Sequence, residues 1–294
     1  MTDELKPPPA VKIAIGCDPE LFVFDTTLFR IVPAVGLVQG TKEKPFKLSK
    51  GTVQLDGTLI EIGTDPAYTE DDFVHNLKVT LEEVQQILDS KQEGRYKLLC
   101  GALAGYNRDD LKGIPKSVFN VGCEPQYHIQ QNEGSCTPYS LRQMRGPEVI
   151  SPEEVPAGGH IHIGFTSGRN CSDQGHLRDC LEVSRSIIGT LLNSPERQRA
   201  WLLFGGGRAI RVKPYGFEYR NPSAYWLHSE ESVRLIFRQA VNAVHSAMDR
   251  TVGRMTLKGS TPAIWELPEC FQENSPVFTD TSNTSDTLGD HDAT

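Results

Sequence analysis

Gly158-Gly159-His160-Ile161-His162-Ile163-Gly164 alternates imidazole with isoleucine. Residues two apart in an extended strand project to the same face. The pattern therefore predicts a strand with His160 and His162 on a chemical face and Ile161 and Ile163 on a buried one. Two other segments repeat the logic: Gly16-Cys17-Asp18-Pro19-Glu20, after the alternating run Val11 to Ile15, and Phe217-Glu218-Tyr219-Arg220. Together they predict a sheet whose polar side carries metal and phosphate ligands. A histidine pair on one strand is equally what a zinc site would use.

Outward from this strand, the run Val11 to Phe24 reads as a strand carrying Asp18 and Glu20 on one face, with an Asp-Pro turn as the alternative. Pro19 lacks an N–H, which predicts an edge, a bulge or a kink. Thr52 to Ile62 reads as a hairpin about Asp56-Gly57, a pair suited to a two-residue turn. Asp56 serves either as turn former or as ligand. Glu61, between Ile60 and Ile62, lies on the face opposite two core residues, or is simply solvated. Val121 to His128 echoes Ile15 to Phe22, with an acid before proline in both; Glu124 is a candidate ligand there and His128 a structural histidine.

The remainder is scaffold. Thr69 caps a predicted helix with an acidic first turn and the stripe Phe73, Leu77, Leu81, Val84 and Leu88. Tyr96 to Ala104 reads as one mostly buried strand. Residues 131–157, rich in Gly, Ser, Pro and charge, read as a long irregular connection of the kind that forms lids or binding loops. Ser172 opens a helix with Leu177, Leu181, Ile188, Leu191 and Leu192 inward, and Ser194-Pro195 starts a short one that ends at Gly205. Ser229 caps a last helix with Val233, Ile236, Phe237, Ala240, Val241, Val244 and Met248 on one face. Arg208, Arg211 and Lys213 form the most basic segment, read as a loop. The glycines before it match neither a P-loop nor a dinucleotide fingerprint.

At 294 residues and 38% hydrophobic content the chain can bury a sizeable core. A net charge of −8 argues against nucleic-acid coating. Seven cysteines without a C-x-x-C pair indicate neither a disulfide framework nor a zinc ribbon. No apolar run approaches the roughly 18 residues of a membrane span. A cytoplasmic protein is expected, with a flexible leader over residues 1–10, one domain over 11–268 and an acidic, disordered tail over 269–294, which has no Lys or Arg.

Carboxylates converging in one cleft raise one another's pKa, a conflict that divalent cations relieve. A set rich in carboxylate oxygen with few imidazoles suits Mg2+ or Mn2+. Adjacent arginines and lysine then imply a polyanionic substrate such as ATP.

Gly16 to Val23, Gly159 to Gly164 and Lys213 to Arg220, with Ile60 to Thr64, occur in the order found in the carboxylate-amine ligases (amidoligases) of the glutamine synthetase and gamma-glutamylcysteine synthetase superfamily. The chain resembles that family, most closely its phage-type branch. It differs in carrying Asp18 as the first acid and Pro19 between the pair. The resemblance implies an α+β fold, with a curved antiparallel sheet lining the site and helices on its outer face. It implies that Asp18, His160 and Glu218 hold one metal ion and Glu20 and Glu61 another. It also implies that His162, Arg211 and the neighbouring Arg208 and Lys213 meet ATP phosphates, and that Arg220 steadies the transferring group. The implied reaction joins small-molecule or peptide acids and amines, with no nucleic-acid or membrane partner. Alternatives are a guanidino-kinase-like phosphotransferase and a zinc-dependent hydrolase built on His160 and His162.

Overall fold

Ile13–Asp25 forms a single thirteen-residue strand, β1, from which the rest of the sheet is built. The computed structural model describes residues 12–115, 126–129, 136–139, 154–165, 180, 183–184, 209–220 and 222–248. Along its first half β1 pairs with β11 (Gly159–Phe165), and from Glu20 with β5 (Leu59–Thr64). Its last turn of chain pairs with β2 (Arg30–Val32) and β6 (Tyr96–Leu99). One flank of the sheet continues from β5 to β4 (Gly51–Asp56) and β3 (Phe46–Lys47). The other runs from β11 to β13 (Gly216–Tyr219), β12 (Ala209–Lys213), β8 (Gln126–Ile129) and β9 (Cys136–Tyr139). Its pairings are antiparallel throughout. With two long helices among the described residues, the chain is α+β.

One face of this sheet is apolar. Ile15, Leu21, Ile60, Ile62, Ile161, Ile163, Ile210, Phe217 and Tyr219 are buried in the core that also takes in the helices α1 (Glu70–Lys91) and α2 (Glu230–Met248). Each such side chain contributes about 1.5–3 kcal/mol on leaving water. From α1 come Phe73, Leu77, Leu81, Val84 and Leu88, and from α2 come Val233, Ile236, Phe237, Ala240 and Val244. These match the predicted stripes; Val241 is half-buried and the Met248 side chain lies outside the described residues. Phe73 bridges the two helices, 5.7 Å from the Phe237 ring and 6.3 Å from Trp226. Thr69 Oγ1 accepts the Asp72 N–H at 3.2 Å and Ser229 Oγ accepts the Ser232 N–H at 3.2 Å, so both predicted caps form. Arg234 then bonds Glu70 and Asp71, tying the helix starts together.

The hairpin of β4 and β5 turns at Gly57-Thr58, where Gly57 has φ 60°. Glycine at the first central position is what a II′ turn requires. Three local expectations differ from the structure. Pro19, expected at an edge, bulge or kink, lies inside a central strand. Ile15 and Cys17 send their N–H groups toward Ala67 and Thr64 on the β5 side, and Glu20 sends its own to Gly158 on the β11 side. By alternation the Pro19 nitrogen faces the β5 side, where the ladder begins only at Glu20, so no bond is lost. The Tyr96 to Ala104 segment is two strands, β6 and β7 (Leu103–Gly105), separated where Gly101 lies against the Phe22 ring. The 131–157 segment contains β9 and β10 (Glu154–Pro156), the latter paired with β7; both carry a proline and are too short for periodicity to reveal.

Cys180, Val183 and Ser184 are helical and buried within the span expected for the Ser172 helix, but its opening and its predicted stripe, the Ser194 helix, the leader, the tail, Glu124 and Arg208 lie outside the described residues. Among the described residues no helix is long and apolar enough to cross a membrane.

Candidate functional site

Strand alternation places the opposite set of side chains on the other face. In register, Gln54 stands opposite Glu61, Glu61 opposite Glu20, Asp18 opposite His160, His162 opposite Glu218, and Glu218 opposite Arg211. Five neighbouring strands thus lay a row of acids, imidazoles and cations across the sheet. Arg211 and Lys213, expected in a loop, belong to β12. The polar–apolar alternation of Ile210, Arg211, Val212 and Lys213 is the signal that would have shown it.

Glu218 is the hub. It is fully buried and meets Arg220, Arg211 at 3.1 Å and Lys213 at 3.8 Å. Burial and the Asp18 charge push its carboxyl up, but Arg220, His160 and Arg211 outweigh them and hold it below the usual glutamate value. Buried charges persist only when compensated in this way.

Asp18 is the second hub. His162 Nε2 lies 2.9 Å from its Oδ2, while His160 Nδ1 stands 3.6 Å from Oδ1 and 3.5 Å from Glu218 Oε1. Burial raises the Asp18 pKa, but His162, His160 and Arg220 reverse that and hold it at about 2. The histidines diverge. Burial and the Arg220 charge push His160 down to about 4, so it is neutral; burial also depresses His162, but the bonded Asp18 raises it above the ordinary value. Tyr215, in the turn joining β12 and β13, bonds the other His162 nitrogen, Nδ1.

Glu20 and Glu61 are unlike Asp18. Burial lifts Glu20 to about 8, aided by the charges of Asp56 and Asp18 and opposed by the Gly158 N–H, which donates to Oε2 at 2.8 Å. Burial and the charges of Asp18, Glu20 and Asp56 lift Glu61 to about 9, while Gln54 Nε2 donates to it at 3.0 Å. Asp56 lies 3.9 Å from Lys42 at the strand end.

Two observations fit a divalent cation here. Asp18 Oδ1 is buried with no hydrogen-bond partner among the described residues, and Asp18, His162 and Glu218 offer donor atoms within 4.8 Å of one another. An anionic, oxygen-rich donor set with one imidazole suits Mg2+ or Mn2+. In this trio the imidazole is that of His162, which the resemblance assigns to phosphate; His160, assigned to metal, has its Nδ1 3.6 Å from Asp18 Oδ1 and 3.5 Å from Glu218 Oε1.

The Gly158-Gly159 pair is needed by close approach. A Cβ on Gly158 would meet the His160 ring, and one on Gly159 would meet the Trp226 indole and the Ser223 carbonyl. Trp226 Nε1 also donates to the Gly159 carbonyl at 2.9 Å. Gly159→Ala is therefore expected to lower stability by about 2 kcal/mol through overpacking, read as an earlier urea midpoint; an unchanged midpoint would refute the tight contact.

The structure gathers Asp18, Glu20, Glu61, His160, His162, Glu218, Arg220, Arg211 and Lys213 on one face. Tyr215, Gln54 and the Gly158 N–H were missed by sequence reasoning. Tyr215 and Gln54 flank assigned residues, but a side chain's partner across a sheet depends on register, which no local pattern prints. No family model and no curated protein matches this chain.

Proposed function

We propose that this chain is an ATP-dependent carboxylate-amine ligase with a glutamine synthetase-like fold. The observation that carries the reading is the order of charge across one sheet face: Glu61, Glu20 and Asp18, then the imidazoles, then Glu218 clasped by Arg220, Arg211 and Lys213. Acids able to hold divalent cations beside a cationic end is the arrangement that phosphoryl transfer calls for. Asp18, His162 and Glu218 would hold one Mg2+ or Mn2+, and Glu20 and Glu61 a second; bound there, the cations would supply charge neutralisation for the phosphates.

Arg211 and Lys213 bind and orient the ATP phosphates. Arg220, held by Glu218, faces the charge that develops as the γ-phosphoryl group passes from ADP to a carboxylate oxygen. The amine nitrogen then attacks the acyl carbon of the acyl phosphate and expels phosphate, giving an amide. A neutral His160 avoids adding a further positive charge beside Arg220. A single imidazole in the metal-sized trio favours this reading over a two-histidine zinc hydrolase.

The test is turnover. With Mg2+, ATP should be converted to ADP and phosphate only when a productive acid and amine are both supplied from a compound panel, and an amide should appear in equal amount. Arg211→Ala should raise the ATP KM by roughly 10-fold or more, as loss of a charged phosphate contact implies. ATP-independent hydrolysis, or a stable phosphorylated guanidine without amide, would overturn the assignment.

A further inference from the structure

Tyr215 has no place in the metal and phosphate roles assigned above, yet it is joined to them. Its phenol bonds His162 Nδ1, while His162 Nε2 lies 2.9 Å from Asp18 Oδ2. The side chain sits in the β12–β13 turn directly after Lys213, and the residue is 45% exposed. One end of the Asp18–His162–Tyr215 chain is therefore inside the metal-sized trio and the other reaches open space.

The hydrogen positions follow from the donor rules. Asp18 as a carboxylate only accepts, so Nε2 must carry the hydrogen between it and His162. Once the ring has given up its second hydrogen, Nδ1 has a lone pair and the Tyr215 hydroxyl donates to it. If Nε2 instead gives its lone pair to a cation shared with Asp18 and Glu218, the ring hydrogen belongs on Nδ1, which donates to the phenol oxygen. A phenol can serve in both states because it both donates and accepts. Phenylalanine could do neither, and serine at this position would be too short.

We propose that Tyr215 is a positioning residue that fixes the tautomer of His162, and that cation loading turns the Tyr215 hydroxyl hydrogen outward as a donor to a phosphate oxygen of the substrate. This rests on the proposed metal-dependent ligase site. The phosphate is chosen because Arg211 and Lys213 stand on the same hairpin, with Lys213 two residues away in sequence. Tyr215 thereby links metal occupancy to readiness for nucleotide without moving the backbone.

The full chain, labelled with 15N on histidine, allows a test that needs no turnover. Long-range 1H–15N spectra, recorded at a pH high enough that the metal-free ring carries a single hydrogen, should report that hydrogen on Nε2 of His162 without metal and on Nδ1 after saturation with Mg2+. By calorimetry, Tyr215→Phe should weaken Mg2+ binding about 10-fold, the lower end for loss of such a supporting partner. At saturating Mg2+ it should also weaken binding of a non-hydrolysable ATP analogue several-fold. An Nε2 hydrogen that persists under Mg2+ saturation, or native Mg2+ affinity in Tyr215→Phe, overturns the tautomer role. Native affinity for the ATP analogue overturns the donor role. If these fail while native protein still couples ATP cleavage to amide formation, the ligase reading stands. If native protein binds neither Mg2+ nor the analogue, that reading falls as well.

Discussion

Glu218→Gln is expected to cost on the order of 3 kcal/mol of stability and to reduce any Mg2+-induced thermal shift to the part that the Glu20–Glu61 pair supplies. Glu218 is buried among Arg220, Arg211 and Lys213. The amide keeps the volume but removes a negative charge that all three cations share. Breaking one side of a buried ionic cluster is far costlier than replacing the cluster whole, because the remaining charges stay desolvated. For a chain of this size the loss corresponds to roughly 6–12 °C in Tm. Scanning calorimetry with and without Mg2+ checks both parts. Should the variant melt with the native protein and respond to Mg2+ in full, Glu218 would be neither the hub nor a ligand. If the ligase assignment holds, turnover should fall by about 10³-fold or more, since the same carboxylate also holds Arg220 in place.

Much of this site was legible because strand parity is a one-residue rule. His160 and His162, Asp18 and Glu20, and Glu218 with Arg220 each lie two apart, and Ile161, Pro19 and Tyr219 between them lie on the buried face. The helices were equally plain, since Thr69 and Ser229 announce their caps and the apolar stripes follow at helical spacing. Other features depended on what lies across the sheet. Pro19 argues for an edge until one sees that its nitrogen faces the β5 side, where the ladder begins only at Glu20. Arg211 and Lys213 looked like a solvated loop because charge dominates the segment, although the alternation was present. Both imidazoles stand near Asp18, His162 Nε2 at 2.9 Å and His160 Nδ1 at 3.6 Å, and strand spacing does not encode which of them would face a cation. Tyr215 lies within the Lys213 to Arg220 segment, but only folding the hairpin brings its hydroxyl to His162.

The metal-free protein is expected to lose stability as the pH rises from about 6.5 to 9, and Mg2+ is expected to remove most of that loss. Glu20 and Glu61 hold their protons up to about 8 and about 9 in the folded chain because burial and neighbouring acids oppose ionisation. In the unfolded chain they ionise near the ordinary glutamate value of about 4.3. The folded state therefore binds more protons through this interval, and stability must fall as pH rises. His162, raised by Asp18, acts in the same direction, whereas Asp18 and Glu218, both lowered, and His160 at about 4 titrate below this window. Allowing for the coupling between the two glutamates, the fall is on the order of 3 kcal/mol, or roughly 6–12 °C in Tm. Divalent cations compete with those protons, so Mg2+ affinity should tighten over the same interval and the Tm profile flatten. Glu20→Gln and Glu61→Gln remove the ionisation and should flatten the metal-free profile while weakening the Mg2+ response. That opposite pair of effects separates a cation site from carboxyls that are merely buried: a purely structural glutamate would flatten the first profile and leave the second untouched.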